Sequence, residues 1–173
     1  MATRNHHQVK SQQIIVCPAL VPASRVPRDD ESRPAPSGEA TLESHPIGRV
    51  FYAPFDVVFS RFDVVEPDLL YLSNERAGSV LTPDNVRGTP ELVIEIGSPS
   101  TRARDETTKR RLYEWAGVSE YWVVDPELDL IRVYRQGGDH FARAVEWSAE
   151  AGDMLTTPLF PGLEIPLARV FAA

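Results

Sequence analysis

The chain has 173 residues, 42% hydrophobic and 9% aromatic, which suits one domain with a real core. No stretch approaches the roughly 18 consecutive apolar residues of a membrane-spanning helix. The single cysteine, Cys17, rules out an internal disulfide or a cysteine-based zinc site.

The apolar run before Cys17 is too short for a secretory signal, so the expected setting is cytoplasmic. The formal net charge of −7 argues against binding nucleic acid by bulk attraction. Any phosphate-facing positive charge has to be local. The one window that offers it runs from Arg102 to Arg111, with Arg104, Lys109 and Arg110 inside it.

Residues 1–46 mix Gln, Ser, Pro and charge without sustained periodicity, and only Gln13 to Leu20 has strand character. They read as a disordered or atypical N-terminal segment, and residues 47–173 as the folded domain. Val50 to Ser60 alternates as a strand interrupted by Pro54, and Asp68 to Leu72 is a short strand entered through Pro67. Ser73 to Gly88 is polar and punctuated by Gly78, Pro83, Asn85 and Gly88, which predicts a loop.

Glu91 to Ile96 is a third strand. Asp105 to Ala116 is rich in helix formers and is followed by Gly117, with Lys109, Leu112, Tyr113 and Ala116 on one face. Tyr121 to Val124 is a strand closed by Asp125-Pro126. Leu130 to Tyr134 and His140 to Trp147 form a hairpin around Gly137-Gly138-Asp139. A strand near Met154 to Thr156 precedes Leu163 to Phe171, a strand with a helical end. The expected architecture is an α/β or α+β fold with five to seven strands and one strong helix.

Three places break the rules of their elements. Alternation in Glu91–Ile96 puts Leu92, Ile94 and Ile96 on one face and Glu91, Val93 and Glu95 on the other. Glu95 thus lies deep in an apolar strand, where an ionised carboxylate needs a partner or a metal unless that face is solvated. Asp68 opens a strand after proline, a position that also suits a plain strand-entry aspartate. Asp105 and Lys109 form an i,i+4 pair on the stripe that should meet the sheet, whereas such pairs on a solvated face contribute only about 0.2–0.5 kcal/mol. Together, two carboxylates and an ammonium suit Mg²⁺ or Mn²⁺ chemistry on a phosphodiester, because hard oxygen ligands hold the cation and leave positions for water and phosphate.

Several blocks occur in order: Glu66-Pro67-Asp68, Glu91 to Ile96, Ser98 to Thr101, Asp105 to Lys109, Tyr113, Gly117-Val118 and Glu120 to Pro126. In these the chain resembles the Uma-type restriction endonucleases within the PD-(D/E)XK nuclease superfamily. The resemblance spans about residues 48 to 171. It implies a restriction-endonuclease-like mixed β-sheet flanked by helices, acting as a metal-dependent endonuclease on DNA. Asp68 would be the aspartate of the PD element and Glu95 the second acid, both holding Mg²⁺. The superfamily's usual lysine position is Gly97 here, so Lys109 of the next helix takes that role, with Asp105 in support. Arg102, Arg104 and Arg110 are the candidates for nucleic-acid contact.

Residues 1–46 show no counterpart of the family's N-terminal helix and hairpin, as if that start were truncated or replaced. This keeps a second reading open, a catalytically inactive binding or assembly module. Strand edges allow a homodimer. His6, His7, His45 and His140 lack partners at metal-ligand spacing, and Trp115, Trp122 and Trp147 read as core or dimer contacts. No Gly-rich phosphate loop follows a predicted strand, which disfavours a nucleotide-binding enzyme.

Overall fold

The structure is a computed structural model that describes residues 39–41, 47–97 and 105–172. The predicted Gln13–Leu20 strand, Cys17, His6, His7, His45, Arg102 and Arg104 lie outside the described residues.

The expected mixed sheet is present and larger than predicted. Its strands are β1 (Glu39–Thr41), β2 (Gly48–Tyr52), β5 (Leu69–Ser73), β7 (Leu92–Ile96), β8 (Glu120–Asp125) and β9 (Leu130–Gly137), in that spatial order. β9 is flanked along its outer side by β11 (Val145–Ser148) and, further along, by β10 (His140–Phe141). All neighbours are antiparallel except β7 and β8, which are parallel. A small second sheet joins β3 (Asp56–Val58) to β4 (Val64–Val65) and, in parallel, to β6 (Asn85–Arg87). A third pairing joins β12 (Met154–Leu155) to β13 (Ile165–Pro166), which leads into the short helix Leu167–Val170.

The parallel pair explains its own sequence. A parallel connection needs a crossover, which covers one face of β8 while the C-terminal segment covers the other, so every residue of Glu120–Asp125 is buried. Within the described part of the crossover, a π-helical turn, Asp105–Lys109, runs directly into the helix Arg110–Trp115. The predicted helix is therefore correct in place, with a wider first turn.

The predicted loop Ser73–Gly88 is instead the helix Asn74–Val80 followed by β6. Ser73 Oγ caps that helix by accepting from Arg76 N at 3.1 Å. No residue of the helix is fully buried and only Ala77 and Val80 lean on the core, a stripe too narrow for periodicity to reveal.

The two faces of the main sheet carry separate cores. One packs Leu69, Tyr71, Leu92, Ile94, Trp122 and Val124 with the C-terminal segment. The other packs Leu70, Leu72, Phe51, Val57 and Val86 under the small sheet, and Val93, Tyr113, Tyr121 and Val123 under the crossover helix. The unusual charges lie on this second face.

Candidate active site

β5 and β7 run antiparallel with Leu70 opposite Val93 and Leu69 opposite Ile94. One further step in that register sets Asp68 opposite Glu95. In an antiparallel pair, opposed residues share a face. Here it is the face carrying Leu70 and Val93, beneath the crossover.

Glu95 is only 3% exposed. Its Oε2 accepts from Lys109 Nζ at 2.7 Å and its Oε1 from the Tyr113 hydroxyl at 2.6 Å. Lys109 also lies 3.3 Å from Asp105 Oδ1. Asp105 is buried, and although its Oδ1 is close enough for an ion pair, that atom makes no well-aligned hydrogen bond among the described residues. The Tyr121 hydroxyl donates to the backbone carbonyl of Asp105 at 3.1 Å, and so ties the π-helical turn to β8. Asp68 is partly buried, and its Oδ2 accepts from the Ile96 backbone N–H at 2.7 Å.

Burial and charge compete at each group. Burial pushes the Glu95 carboxyl up to about 7, although Lys109 and the Tyr113 hydroxyl both favour its ionised form and Asp68 adds repulsion. Asp68 is also raised by burial, against the pull of the Ile96 N–H and of Lys109, with Asp105 repelling it. At Lys109 burial opposes the charge, but Glu95 and then Asp105 outweigh it and hold the ammonium above the usual lysine range. Tyr113 and Tyr121 are driven far above the ordinary phenol range by burial and by the Glu95 charge, so both hydroxyls remain donors.

Fully ionised, the cluster sets three carboxylates against one ammonium, an excess of negative charge that a cation would relieve. Among the described residues no three His, Cys, Asp or Glu side chains form a ready-made metal cage. A hard cation such as Mg²⁺ does not require one, since it usually takes one or two carboxylates and keeps waters. A carboxylate offers about four lone-pair sites. Glu95 uses one on each oxygen, and Asp68 gives one to Ile96. The donor chemistry therefore fits a divalent cation at Asp68 and Glu95 with both supporting side chains in place.

Arg110 does not join this cluster. Its Nε donates to Glu106 O at 3.3 Å and its guanidinium lies 5.7 Å from the Tyr134 ring centre. Trp115 is largely exposed, whereas Trp122 is fully buried.

Two features escaped sequence reasoning. Tyr113 touches Glu95 directly; its signal was its place four residues after Lys109, which the apolar stripe disguised as ordinary core. The buried Glu120 lies on the opposite face of the sheet and is satisfied by Trp122 Nε1 at 2.8 Å, Thr157 Oγ1 at 2.9 Å and Arg135 Nε at 3.0 Å. With every contact internal, it reads as a structural network.

The sequence profile described as "Uma2: Putative restriction endonuclease" matches residues 38–168. No functionally curated protein matches the chain significantly. Among solved structures, the fold is shared with a crystal structure titled as a putative nuclease belonging to DUF820 from Anabaena variabilis ATCC 29413. That alignment has a TM-score of 0.63 and 18% identity, and covers 99% of this chain and 83% of the other. The profile begins at residue 38, next to β1, so the matched region reaches further toward the N-terminus than the blocks that carried the resemblance. With most of its length matched, the chain belongs to the Uma2 putative restriction endonuclease family.

Proposed function

We propose that this protein hydrolyses DNA phosphodiester bonds as a PD-(D/E)XK-type endonuclease in a cytoplasmic setting, using Mg²⁺ or Mn²⁺ held by Asp68 and Glu95. One observation carries the reading: a carboxylate 97% removed from solvent faces a second carboxylate across the strand pair and is met at 2.7 Å by a lysine. Burying like charges together is costly, and carboxyls perturbed in this way concentrate at functional sites.

A bound divalent ion supplies Lewis-acid stabilisation of the phosphoryl oxygens and acidifies a water. The chain's own groups do the rest. Asp68 and Glu95 hold the cation, and the Ile96 N–H and the Tyr113 hydroxyl restrain them. Lys109 is kept protonated by Glu95 and Asp105, so it acts as a donor. It orients the attacking water and stabilises developing negative charge, but does not accept the proton. Asp105 steers the ammonium. Arg102, Arg104 and Arg110 would contact phosphates beside the site.

Asp68→Ala and Glu95→Ala should each abolish Mg²⁺- or Mn²⁺-stimulated plasmid cleavage, with a loss of at least about 100-fold. Equal cleavage by wild type and both variants would sink the assignment. The acidic net charge favours a second reading, the inactive binding module. That alternative predicts no cleavage and no metal-dependent rise in melting temperature of the wild type.

A further inference from the structure

Lys109 and Tyr113 stand four residues apart, one helical turn, and therefore share a face of the crossover helix. Long side chains on a helix lean toward its N-terminus, which carries the Tyr113 hydroxyl back toward the Lys109 end. The outcome is a two-point grip on one acid: the ammonium on Oε2 and the phenol on Oε1.

The two grips differ in stiffness. The ammonium rides on a flexible four-carbon stem. The tyrosine ring has only two torsions and is fully buried, and it packs between Tyr121 at 4.8 Å and Phe59 at 6.1 Å between ring centres. The terminal torsion of a glutamate is broad, so an acid held at one oxygen by a flexible partner can still turn.

We infer that Tyr113 is a positioning residue that fixes the plane of the Glu95 carboxylate, so that the acid serves a divalent cation in one orientation. This rests on the nuclease reading above and adds to it the group that makes the metal ligand rigid. A tyrosine present only to fill the core would owe nothing to Glu95 beyond satisfying its own hydroxyl. It would leave metal affinity unchanged when that hydroxyl was removed.

The test compares wild type with Tyr113→Phe, using isothermal titration of Mn²⁺ into the folded full-length protein and plasmid-cleavage kinetics. Hydrogen bonds that support metal ligands typically matter by about 10–100-fold. Tyr113→Phe should lose Mn²⁺ affinity on the order of 10–100-fold, with kcat reduced and KM for DNA unchanged. If wild type binds Mn²⁺ and cleaves while Tyr113→Phe matches it in both, the positioning role is overturned and the nuclease reading survives. If wild type neither binds Mn²⁺ nor cleaves, both fall together. Should Tyr113→Phe fail to fold, p-aminophenylalanine at position 113 keeps a donor in the same place. Near-wild-type Mn²⁺ affinity is then expected, and a loss comparable to that expected for Phe overturns the proposal.

Discussion

At the scale of single residues, Glu95 is pulled two ways. Burial favours its protonated form and its two partners favour the ionised one, with burial ahead and the carboxyl near 7 instead of 4.5. Between those values the folded protein holds a proton that the unfolded chain has released. Stability should therefore fall as pH rises through that window and level off above it, by on the order of a few kcal/mol. Asp68, also raised, adds in the same direction. Lys109 does not compensate, because a raised lysine contributes throughout this range and loses its contribution only at strongly alkaline pH. Urea unfolding in EDTA from pH 5 to 8 should show wild type losing stability relative to Glu95→Gln, and a gap that stays flat with pH would contradict this. The sequence exposed Glu95 because a carboxylate interrupts an apolar alternation. It hid Tyr113, because a tyrosine on an inward stripe is what a core requires.

At the scale of elements, β5 has two duties: it follows directly on Asp68, which its register sets opposite Glu95, and it pairs with β2. The pairing begins at Gly48, opposite Ser73. A Cβ there would collide with the Leu72 carbonyl oxygen and the Tyr71 ring, whose hydroxyl donates to Ile47 O at 3.1 Å. A side chain can swing aside, but a backbone carbonyl within a ladder cannot do so cheaply. Gly48→Ala should thus reach or exceed the upper end of the ~1–3 kcal/mol range for overpacking. The check is a lower urea midpoint at constant m-value, and a change within about 0.5 kcal/mol would place the alanine without strain. Elements were legible where burial imposed a pattern, as in β7, β8 and the crossover helix. Asn74–Val80 sets only Ala77 and Val80, both partly buried, against the core, too little to make a readable pattern. The π-helical turn was invisible for another reason. Its register depends on contacts such as the Tyr121 hydroxyl on the Asp105 carbonyl, which join positions 16 residues apart.

At the scale of the whole molecule, the proposed function asks an acidic protein to hold a polyanion. Its net charge of −7 opposes DNA at long range, but fields beyond roughly 8 Å are screened at physiological salt. Affinity must then come from a few cations at the contact itself. Arg132, on the crossover face of β9, is already paired with Glu106 at 2.5 Å and Glu146 at 2.7 Å, so the proposed function looks to Arg102, Arg104 and Arg110 for local positive charge. Each phosphate neutralised contributes about −0.9 to the slope of log affinity against log salt on duplex DNA, so three contacts give a slope of roughly −3. Arg102→Ala with Arg104→Ala should weaken binding alike on unrelated sequences and flatten the slope by about 2. Fluorescence anisotropy without added divalent metal, between 50 and 200 mM salt, would measure both effects. A slope near −6, or one indifferent to the double substitution, would mean that DNA meets a different and larger basic surface. The Asp68–Glu95 site would then have to be reached from a direction that this window does not define.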